Sequence, residues 1–158
     1  MEDGGLNNEI RKKKIPVSEI QNYHFLSRKY GMELLVDIGR IETLKNFILD
    51  DTPHQLSFYE IAFIEKGSGN CKLDENTMIV EPGTVMFTSP GQVRRWHIIQ
   101  PLRGYVLFFE KDFLNLFFTD ALFLYRFQYF HQYSCPTSMN MPETGFREAI
   151  KLANLRQA

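Results

Sequence analysis

Four side chains on two short segments of this sequence have types and spacings that could bind a ligand or perform chemistry. His54 and Glu60 are separated by an even number of positions, so an extended strand would place them on one face. Arg94 and Trp96 share a face of a second segment for the same reason. Guanidinium and carboxylate groups bind charged and polar ligands, and an indole ring stacks on planar or cationic ones. The same groups could equally pair with one another in a folded core.

Side chains for covalent catalysis are not combined in a recognisable pattern. Cys71 has no histidine near it in sequence. Ser68 and Ser89 stand beside glycines at expected hairpins, unlike the nucleophile elbow of hydrolases. The sequence contains no phosphate-binding P-loop and no dinucleotide fingerprint. We therefore predict no catalytic residue.

The size and composition of the chain predict one globular domain. It has 158 residues, of which 44% are hydrophobic and 23% charged. Eighteen basic residues against nineteen acidic ones give a net charge of −1, so no global positive charge indicates a nucleic-acid partner. Fourteen Phe, seven Tyr and one Trp are enough to fill a core and to leave aromatic rings for a pocket or an interface.

Nothing in the sequence predicts export or membrane insertion. The first residues are polar and acidic without an apolar signal segment, and polar residues interrupt the longest apolar region, 113–130. Cys71 and Cys135 are too few for a disulfide framework and lack metal-ligand spacing, so we expect reduced thiols. The resulting prediction is a cytoplasmic protein without membrane contact.

Residues 53–109 contain the elements that must position the two segments. Apolar and β-branched runs alternate there with turn signals. The turn signals lie at 66–70, 74–76, 81–83, 89–91 and 100–101. Short strands at this spacing predict an all-β sandwich or barrel. Residues 15–50 contain short apolar runs that periodicity does not assign to helix or strand.

Both ends of the chain differ from this pattern. Residues 1–14, which end in a basic run, have the composition of a mobile arm. After Asp112 the apolar spacing becomes helical, with breaks near Pro136 and Pro142. A final helix begins near Pro142 and has an apolar stripe, which predicts packing against the sheet or against a second copy. The stripe consists of Phe146, Ile150, Ala153 and Leu155.

Two longer motifs occur in order between residues 54 and 113. HQLSFYEIAFIEKG runs into a Gly-Ser-Gly segment, and GTVMFTSPGQVRRWHI contains SPGQVRRW; GYVLFF and then Asp-Phe-Leu follow. This region resembles the amino-terminal sensor domain of AraC-type transcriptional regulators, which are members of the cupin superfamily. The first cupin motif is matched at His54, Leu56, Glu60 and Gly67, and the second at Gly83, Ser89, Gly91, Arg94 and Ile98.

The resemblance implies a fold and a division of the chain. The fold is mainly β, a cupin-type antiparallel β-barrel (double-stranded β-helix or jelly roll) followed by C-terminal helices. The division gives a flexible arm over 1–14, a cupin-like sensor domain over 15–112 and a helical dimerisation region over 113–158. We expect the helix-turn-helix domain of such regulators to be absent from this chain.

The resemblance also bears on the chemistry of the site. In metal-binding cupins the motif positions hold three histidines and one glutamate. Here Leu56 and Arg94 replace two of these ligands, so we predict neither a metal nor another cofactor. The metal-dependent chemistry of many cupins is excluded with the metal.

Two interpretations of the remaining site residues stay open. In one, Glu60 and Arg94 form a buried salt bridge with His54 as a hydrogen-bonded neighbour. In the other, Arg94 binds a carboxylate, a phosphate or a sugar hydroxyl beside aromatic rings. Both hold if a ligand competes for a preformed pair. The predicted ligand-binding residues are His54, Glu60, Phe87, Arg94, Trp96 and Tyr105.

The function implied by the resemblance is that of a binding module. A sugar or carboxylate-like small molecule would bind in the barrel of a homodimer and reposition the helix-turn-helix domain, through which alone DNA would be contacted. The predicted dimerisation residues are Phe113, Leu116, Phe117, Phe146, Ile150 and Leu155. The alternatives are a stand-alone cupin enzyme with a degenerate metal site and a structural dimeriser whose barrel is filled by side chains.

Overall fold

The computed structural model describes residues 20–23, 28–29, 32–33, 36–44, 51–113 and 138–157. Within these ranges the chain is mainly β with a helix near its C-terminus, as predicted. The strands are β1 (Gln21–Tyr23), β2 (Arg28–Lys29), β3 (Met32–Glu33), β4 (Val36–Arg40), β5 (His54–Leu56), β6 (Tyr59–Leu73), β7 (Asn76–Val80), β8 (Thr84–Thr88), β9 (Arg94–Phe109) and β10 (Ser138–Asn140). A 3₁₀ helix covers Ile41–Thr43, and helix α1 covers Glu143–Gln157.

Most of these strands belong to one mixed sheet. Its order is β1-β5-β9-β6-β8-β10, with β4 also paired to β9 and β7 to β6. Of the pairings described, only that of β1 with β5 is parallel. Strands β2 and β3 form a separate two-stranded sheet. The central pair is β6 and β9, so these two strands determine where the predicted site residues lie.

Strands β6 and β9 are longer than the sequence predicts. The turns predicted at 66–70 and 100–101 are wrong, because both segments continue their strands, which have 15 and 16 residues. Register shifts interrupt the pairing between Ile64 and Gly69. Gly67 has a φ of 99° there, so this glycine takes its positive φ inside a bulge and not in a hairpin. The turns predicted at 74–76, 81–83 and 89–91 are confirmed.

Alternation along the strands separates two faces of the sheet. Glu60 lies opposite Thr88 on β8 and Phe108 on β9, and all three side chains are buried. We call their face the interior, because it contains the hydrophobic core. Members of the core include Leu56, Ala62, Ile64, Cys71, Leu73, Met86, Trp96, Val106 and Phe108.

Helix α1 packs against the opposite, outer face. Phe63 and Tyr105 are register partners on that face, and the ring centroids of Phe63 and Phe146 are 6.3 Å apart. The half-buried side of the helix consists of Phe146, Ala149, Ile150 and Ala153. Phe146 of the predicted apolar stripe therefore contacts the chain's own sheet, and Ile150 and Ala153 lie on the same half-buried side of the helix.

Strand β10 lies in a region that the sequence predicts as helical. It pairs antiparallel with residues 84–86 of β8. The arm over 1–14 and residues 114–137, including Leu116 and Phe117, lie outside the described residues, so the division of the chain stays a prediction. No helix in the described ranges is long and apolar enough to cross a membrane.

Candidate functional site

Arg94 and Glu60 form a buried ion pair in the interior. Arg94 Nη1 donates to Glu60 Oε1 at 2.6 Å, and Nη2 donates to Glu60 Oε2 at 3.3 Å. The two side chains are 0% and 2% exposed. Nη1 also lies 3.4 Å from Oγ1 of Thr88, which is opposite Glu60 on β8. The bidentate geometry fixes the guanidinium plane on the carboxylate.

His54 completes this group from β5, where it is the register partner of Arg94. Arg94 Nε donates to His54 Nε2 at 2.9 Å, and His54 Nδ1 lies 2.9 Å from the carbonyl oxygen of Thr52. A nitrogen that accepts from a guanidinium carries no proton, so Nδ1 is the protonated nitrogen and donates to the Thr52 carbonyl. His54 is therefore neutral in this arrangement. The salt bridge with a hydrogen-bonded histidine, one of the two interpretations left open, is the geometry that the structure has.

Trp96 lies next to this cluster and is 2% exposed. Its ring centroid is 5.7 Å from Arg94 Cζ, within the range of a cation–π contact. Its Nε1 is buried without a hydrogen-bond partner. His54, Glu60, Arg94 and Trp96 are thus brought together, and we call these four residues the interior cluster.

Phe87 and Tyr105 do not join the interior cluster. Phe87 is the register partner of Ile61 and Tyr105 that of Phe63, so both lie on the outer face. Both are buried nonetheless. The structure does not bring the two rings to Arg94, because alternation along β8 and β9 turns them away from it.

Tyr105 instead connects α1 to the sheet. Its hydroxyl donates to Asn154 Oδ1 on the helix and accepts from Arg40 Nη1 at 2.6 Å. The guanidinium carbon of Arg40 lies 4.6 Å from the centre of the Tyr105 ring. Strand β9 therefore places Arg94 on the interior face and Tyr105, which contacts the helix, on the outer face.

Glu42 holds Arg40 in this position. Burial raises the pKa of Glu42, but hydrogen bonds from its own backbone N–H, from Arg40 and from the N–H of Gly104 lower it below the ordinary value overall. The hydrogen bond to Glu42 raises the pKa of Arg40. Both groups stay charged near neutral pH, so the network around Tyr105 keeps its geometry there.

Sequence reasoning missed two residues beside the interior cluster. Thr88 lies beside the cluster because the register of β8 with β6 places it opposite Glu60, and no sequence pattern predicts that register. The ring of Tyr23 lies edge-on to that of His54 at 5.6 Å between centroids. Tyr23 belongs to β1, in the region that periodicity left unassigned, and only the parallel pairing of β1 with β5 places it there.

The interior cluster does not fit the metal that cupins commonly hold. Nε2 of His54 and both oxygens of Glu60 are occupied by Arg94, and a permanent cation lies where a third ligand would be. No group of three possible ligands occurs among the described residues. This donor set therefore supports no step through a metal.

A groove of about 620 Å³ lies away from the interior cluster, between α1 and the turn before β8. Its lining includes Pro82, Met141, Phe146 and Ile150, and none of the predicted ligand-binding residues. Two predicted dimerisation residues, Phe146 and Ile150, therefore face this groove. Leu155 is 74% exposed, and Phe113 is half-buried with its ring 6.4 Å from that of Phe109.

We predict that the Cys71 thiol is unreactive in the folded protein. It is a free, fully buried thiol, and burial raises its pKa to about 12. Since the thiolate is the nucleophile, iodoacetamide at pH 8 should alkylate Cys71 at least about a hundredfold more slowly in native than in urea-unfolded protein. Peptide mass mapping separates Cys71 from Cys135. Equal rates in the two states would contradict the buried position of β6 at this point.

Comparison with known proteins gives a family match and weak structural matches. The family model described as the AraC-like ligand binding domain matches residues 47–156. No match to a curated protein sequence was found.

The solved structures that resemble the chain do so at low similarity. Oxalate decarboxylase from Bacillus subtilis is 17% identical with a TM-score of 0.32, over 38% of this chain and 17% of that one. A cupin protein from Bacteroides fragilis is 17% identical with a TM-score of 0.34, over 48% of this chain and 64% of that one. Vicilin from tomato, Solanum lycopersicum, is 18% identical with a TM-score of 0.35, over 75% of this chain and 41% of that one. At these values the matches say nothing about the chemistry of this chain.

Proposed function

The chain belongs to the family of AraC-like ligand binding domains, and from this premise we propose that it is the sensor domain of a DNA-binding transcriptional regulator. Family membership makes it a ligand-binding regulatory domain and, together with the largely antiparallel sheet, confirms the cupin-type β fold. The proposal goes further in naming the site, a dimer and a DNA-binding domain, in a cytoplasmic protein. The observation that carries it is the interior cluster, four chemically capable side chains buried together inside a ligand-binding fold.

A buried ion pair adds little to the stability of a fold beyond what apolar residues would add. The cost of removing two charges from water offsets much of their attraction, and apolar residues of similar volume often do as well. Arg94 and Glu60 therefore suit a role in recognition, in which a ligand exchanges hydrogen bonds with a preorganised guanidinium and carboxylate. Trp96 provides an aromatic surface beside them.

The two central strands offer a route from the interior to the helix. Strand β6 carries Glu60 inside and Phe63, which contacts the helix residue Phe146, outside. Strand β9 carries Arg94 inside and Tyr105, which is bonded to Asn154, outside. A ligand that shifts either strand changes the docking of α1, provided that it binds the two arrangements with different affinity. In the proposal, this change repositions the DNA-binding domain of the regulator.

A ligand screen read by thermal unfolding tests the proposed function. A ligand that binds only the folded state adds about 2.7 kcal/mol of stability at 100 times its dissociation constant. We expect a rise in melting temperature with at least one class of small polar metabolite, and its loss in Arg94→Met. The outer-face variant Tyr105→Phe, which leaves the interior cluster intact, should keep the response. A flat response of the wild-type protein across a broad panel would favour the structural dimeriser.

We further propose that α1 contributes to a homodimer through its exposed side. Leu152 and Leu155 are 65% and 74% exposed, whereas Phe146 contacts Phe63 of the sheet and lines the groove together with Ile150. Leu155 was predicted in this role from the sequence, and Leu152 was not. The roles of Phe113, Leu116 and Phe117 at the interface stay predictions.

A double substitution tests this interface. Leu152→Glu with Leu155→Glu should weaken dimerisation at least about tenfold, because it places charges at the centre of an apolar contact. Sedimentation equilibrium gives the dissociation constants. The control is Ile79→Glu, on a strand residue that is 76% exposed and outside the proposed contact. An unchanged dimer in the double variant would remove α1 from the interface.

The ligand-binding role of the family agrees with the prediction that the chain is not an enzyme, and we propose that it has no catalytic activity. The rival is a stand-alone cupin enzyme with a degenerate metal site. Stoichiometric metal in the purified protein by elemental analysis, lost in His54→Ala, would favour the rival.

A further inference from the structure

The interior cluster is electrically balanced. Glu60 contributes one negative charge, Arg94 one positive charge, and His54 is neutral because its Nε2 accepts from Arg94. Arg94 and Glu60 satisfy each other at two contacts, and His54 Nδ1 donates to a backbone carbonyl. Glu60 and Arg94 are therefore already paired with each other in the folded protein.

One hydrogen-bond donor within the cluster has no acceptor. Two buried side-chain atoms among the described residues lack a hydrogen-bond partner, Trp96 Nε1 and Glu65 Oε1. Glu65 Oε1 lies 3.6 Å from Arg40 Nη2 and thus has an ion-pair partner. Trp96 Nε1 has none, although an indole N–H buried in a core ordinarily donates to an acceptor. The interior therefore contains one N–H donor that lacks an acceptor.

We infer that the ligand of the proposed sensor site is an uncharged molecule whose acceptor oxygen receives the hydrogen bond of Trp96 Nε1. This inference rests on the proposed function and narrows its ligand class. A carboxylate or phosphate entering the interior would share one guanidinium with Glu60 and leave a net negative charge buried. A cationic ligand would compete with Arg94 for Glu60 and leave a net positive charge. A neutral ligand with a hydroxyl, carbonyl or amide oxygen accepts the hydrogen bond of Trp96 Nε1 and leaves the net charge of the cluster at zero.

Trp96 is the sole tryptophan of the chain, so the tryptophan emission of the protein reports on the surroundings of this one indole ring. The probes are matched pairs that differ in charge: D-glucose with D-glucuronate, acetamide with acetate, and benzamide with benzoate. We expect a saturable change of the Trp96 emission with the neutral member of at least one pair, and binding at least tenfold weaker for its charged partner. Trp96→Phe keeps an aromatic ring without the donor and should weaken binding of the neutral probe at least tenfold, as measured by calorimetry.

A second variant tests the charge argument when Trp96→Phe fails to fold. Glu60→Gln leaves the interior with one unpaired positive charge, so it should bind the charged member of the pair at least tenfold more tightly than the wild-type protein does. Preference of the wild-type protein for the charged member would overturn the inference and leave the proposed function standing. Equal binding of the neutral probe by the wild-type protein and Trp96→Phe would overturn the role of Nε1. No binding by any pair and no thermal response in the broad screen would overturn the proposed function together with this inference.

Discussion

Replacing Glu60 with alanine should lower the free energy of unfolding by about 3–5 kcal/mol. The substitution leaves the Arg94 guanidinium, which is 0% exposed, without its counter-charge in the interior. A lone buried charge keeps the full cost of leaving water, whereas the pair recovers part of that cost from its two contacts. Urea titration followed by Trp96 fluorescence measures the change, because Trp96 lies beside Arg94.

Two comparisons show whether this loss comes from the buried charge. Glu75→Ala removes an exposed carboxylate in the turn between β6 and β7 and should change stability by less than about 0.5 kcal/mol. Glu60→Leu combined with Arg94→Met removes both charges and should recover most of the loss, because an apolar pair of similar volume often replaces a buried ion pair without penalty. A loss below about 1 kcal/mol in Glu60→Ala would mean that Arg94 reaches water in solution.

The ion pair could be anticipated from the sequence because its two members stand at fixed motif positions. Alternation along one strand predicts that Glu60 and His54 share a face, and the motif order predicts that Arg94 lies on a facing strand. In the structure Glu60 and His54 are both buried in the interior, but they lie on two strands, β6 and β5. What the sequence could not specify is which atoms meet. The register of β5 with β9 sets His54 opposite Arg94, and register depends on pairing across the sheet, which leaves no periodic signal in either strand.

The misplacement of Tyr105 has a specific physical cause. Gln100 and Pro101 predict a turn that ends one strand and begins another, and a turn would remove any fixed alternation between Arg94 and Tyr105. In the structure β9 runs without a break, and Tyr105 follows Arg94 by an odd number of residues, which puts it on the opposite face. Proline is tolerated there because the pairing with β6 is already irregular in that region.

In strand β6, simple alternation along the sequence predicts the wrong face for the residues after the bulges. Glu60 and Ala62 face the interior at even positions, whereas Cys71 and Leu73 face it at odd ones. The bulges between Ile64 and Gly69 change the parity. Bulges depend on how two backbones approach each other, so a single sequence shows only that glycines are present and not which face each following residue takes.

Two of the short strands, β1 and β10, could not be predicted from the sequence pattern. Strands β1 and β10 have three residues each, too few to show a period of two. Pairing with longer neighbours holds them in place: β1 with β5 and β10 with β8. Their existence follows from the sheet and not from their own sequence.

The close approach of β6 and β9 leads to the second large expected effect, that of Gly104→Ala. Gly104 has a φ of 151°, and a Cβ at this position would lie 1.9 Å from the carbonyl oxygen of Phe63 and 3.1 Å from the backbone N of Glu65. The obstacles are backbone atoms of the central strand, which cannot rotate away as a side chain can. Alanine must therefore separate β9 from β6 at the start of the bulge. We expect a loss of at least about 3 kcal/mol from overpacking and backbone strain together.

Gly91→Ala is the control, because it introduces a side chain at a positive φ without a steric contact. Gly91 also has a positive φ, 81°, but a Cβ there would meet nothing within 4 Å. Its substitution should cost only about 1–2 kcal/mol, the strain of a left-handed conformation in a residue with a side chain. The difference between the two variants in urea titrations reports the steric contact of β9 with β6 together with the greater backbone strain at a φ of 151°. Equal losses would mean that the two strands do not approach this closely at Gly104, and a faster hydrogen exchange along β6 in Gly104→Ala alone would locate the damage in the central pair that carries both Glu60 and Arg94.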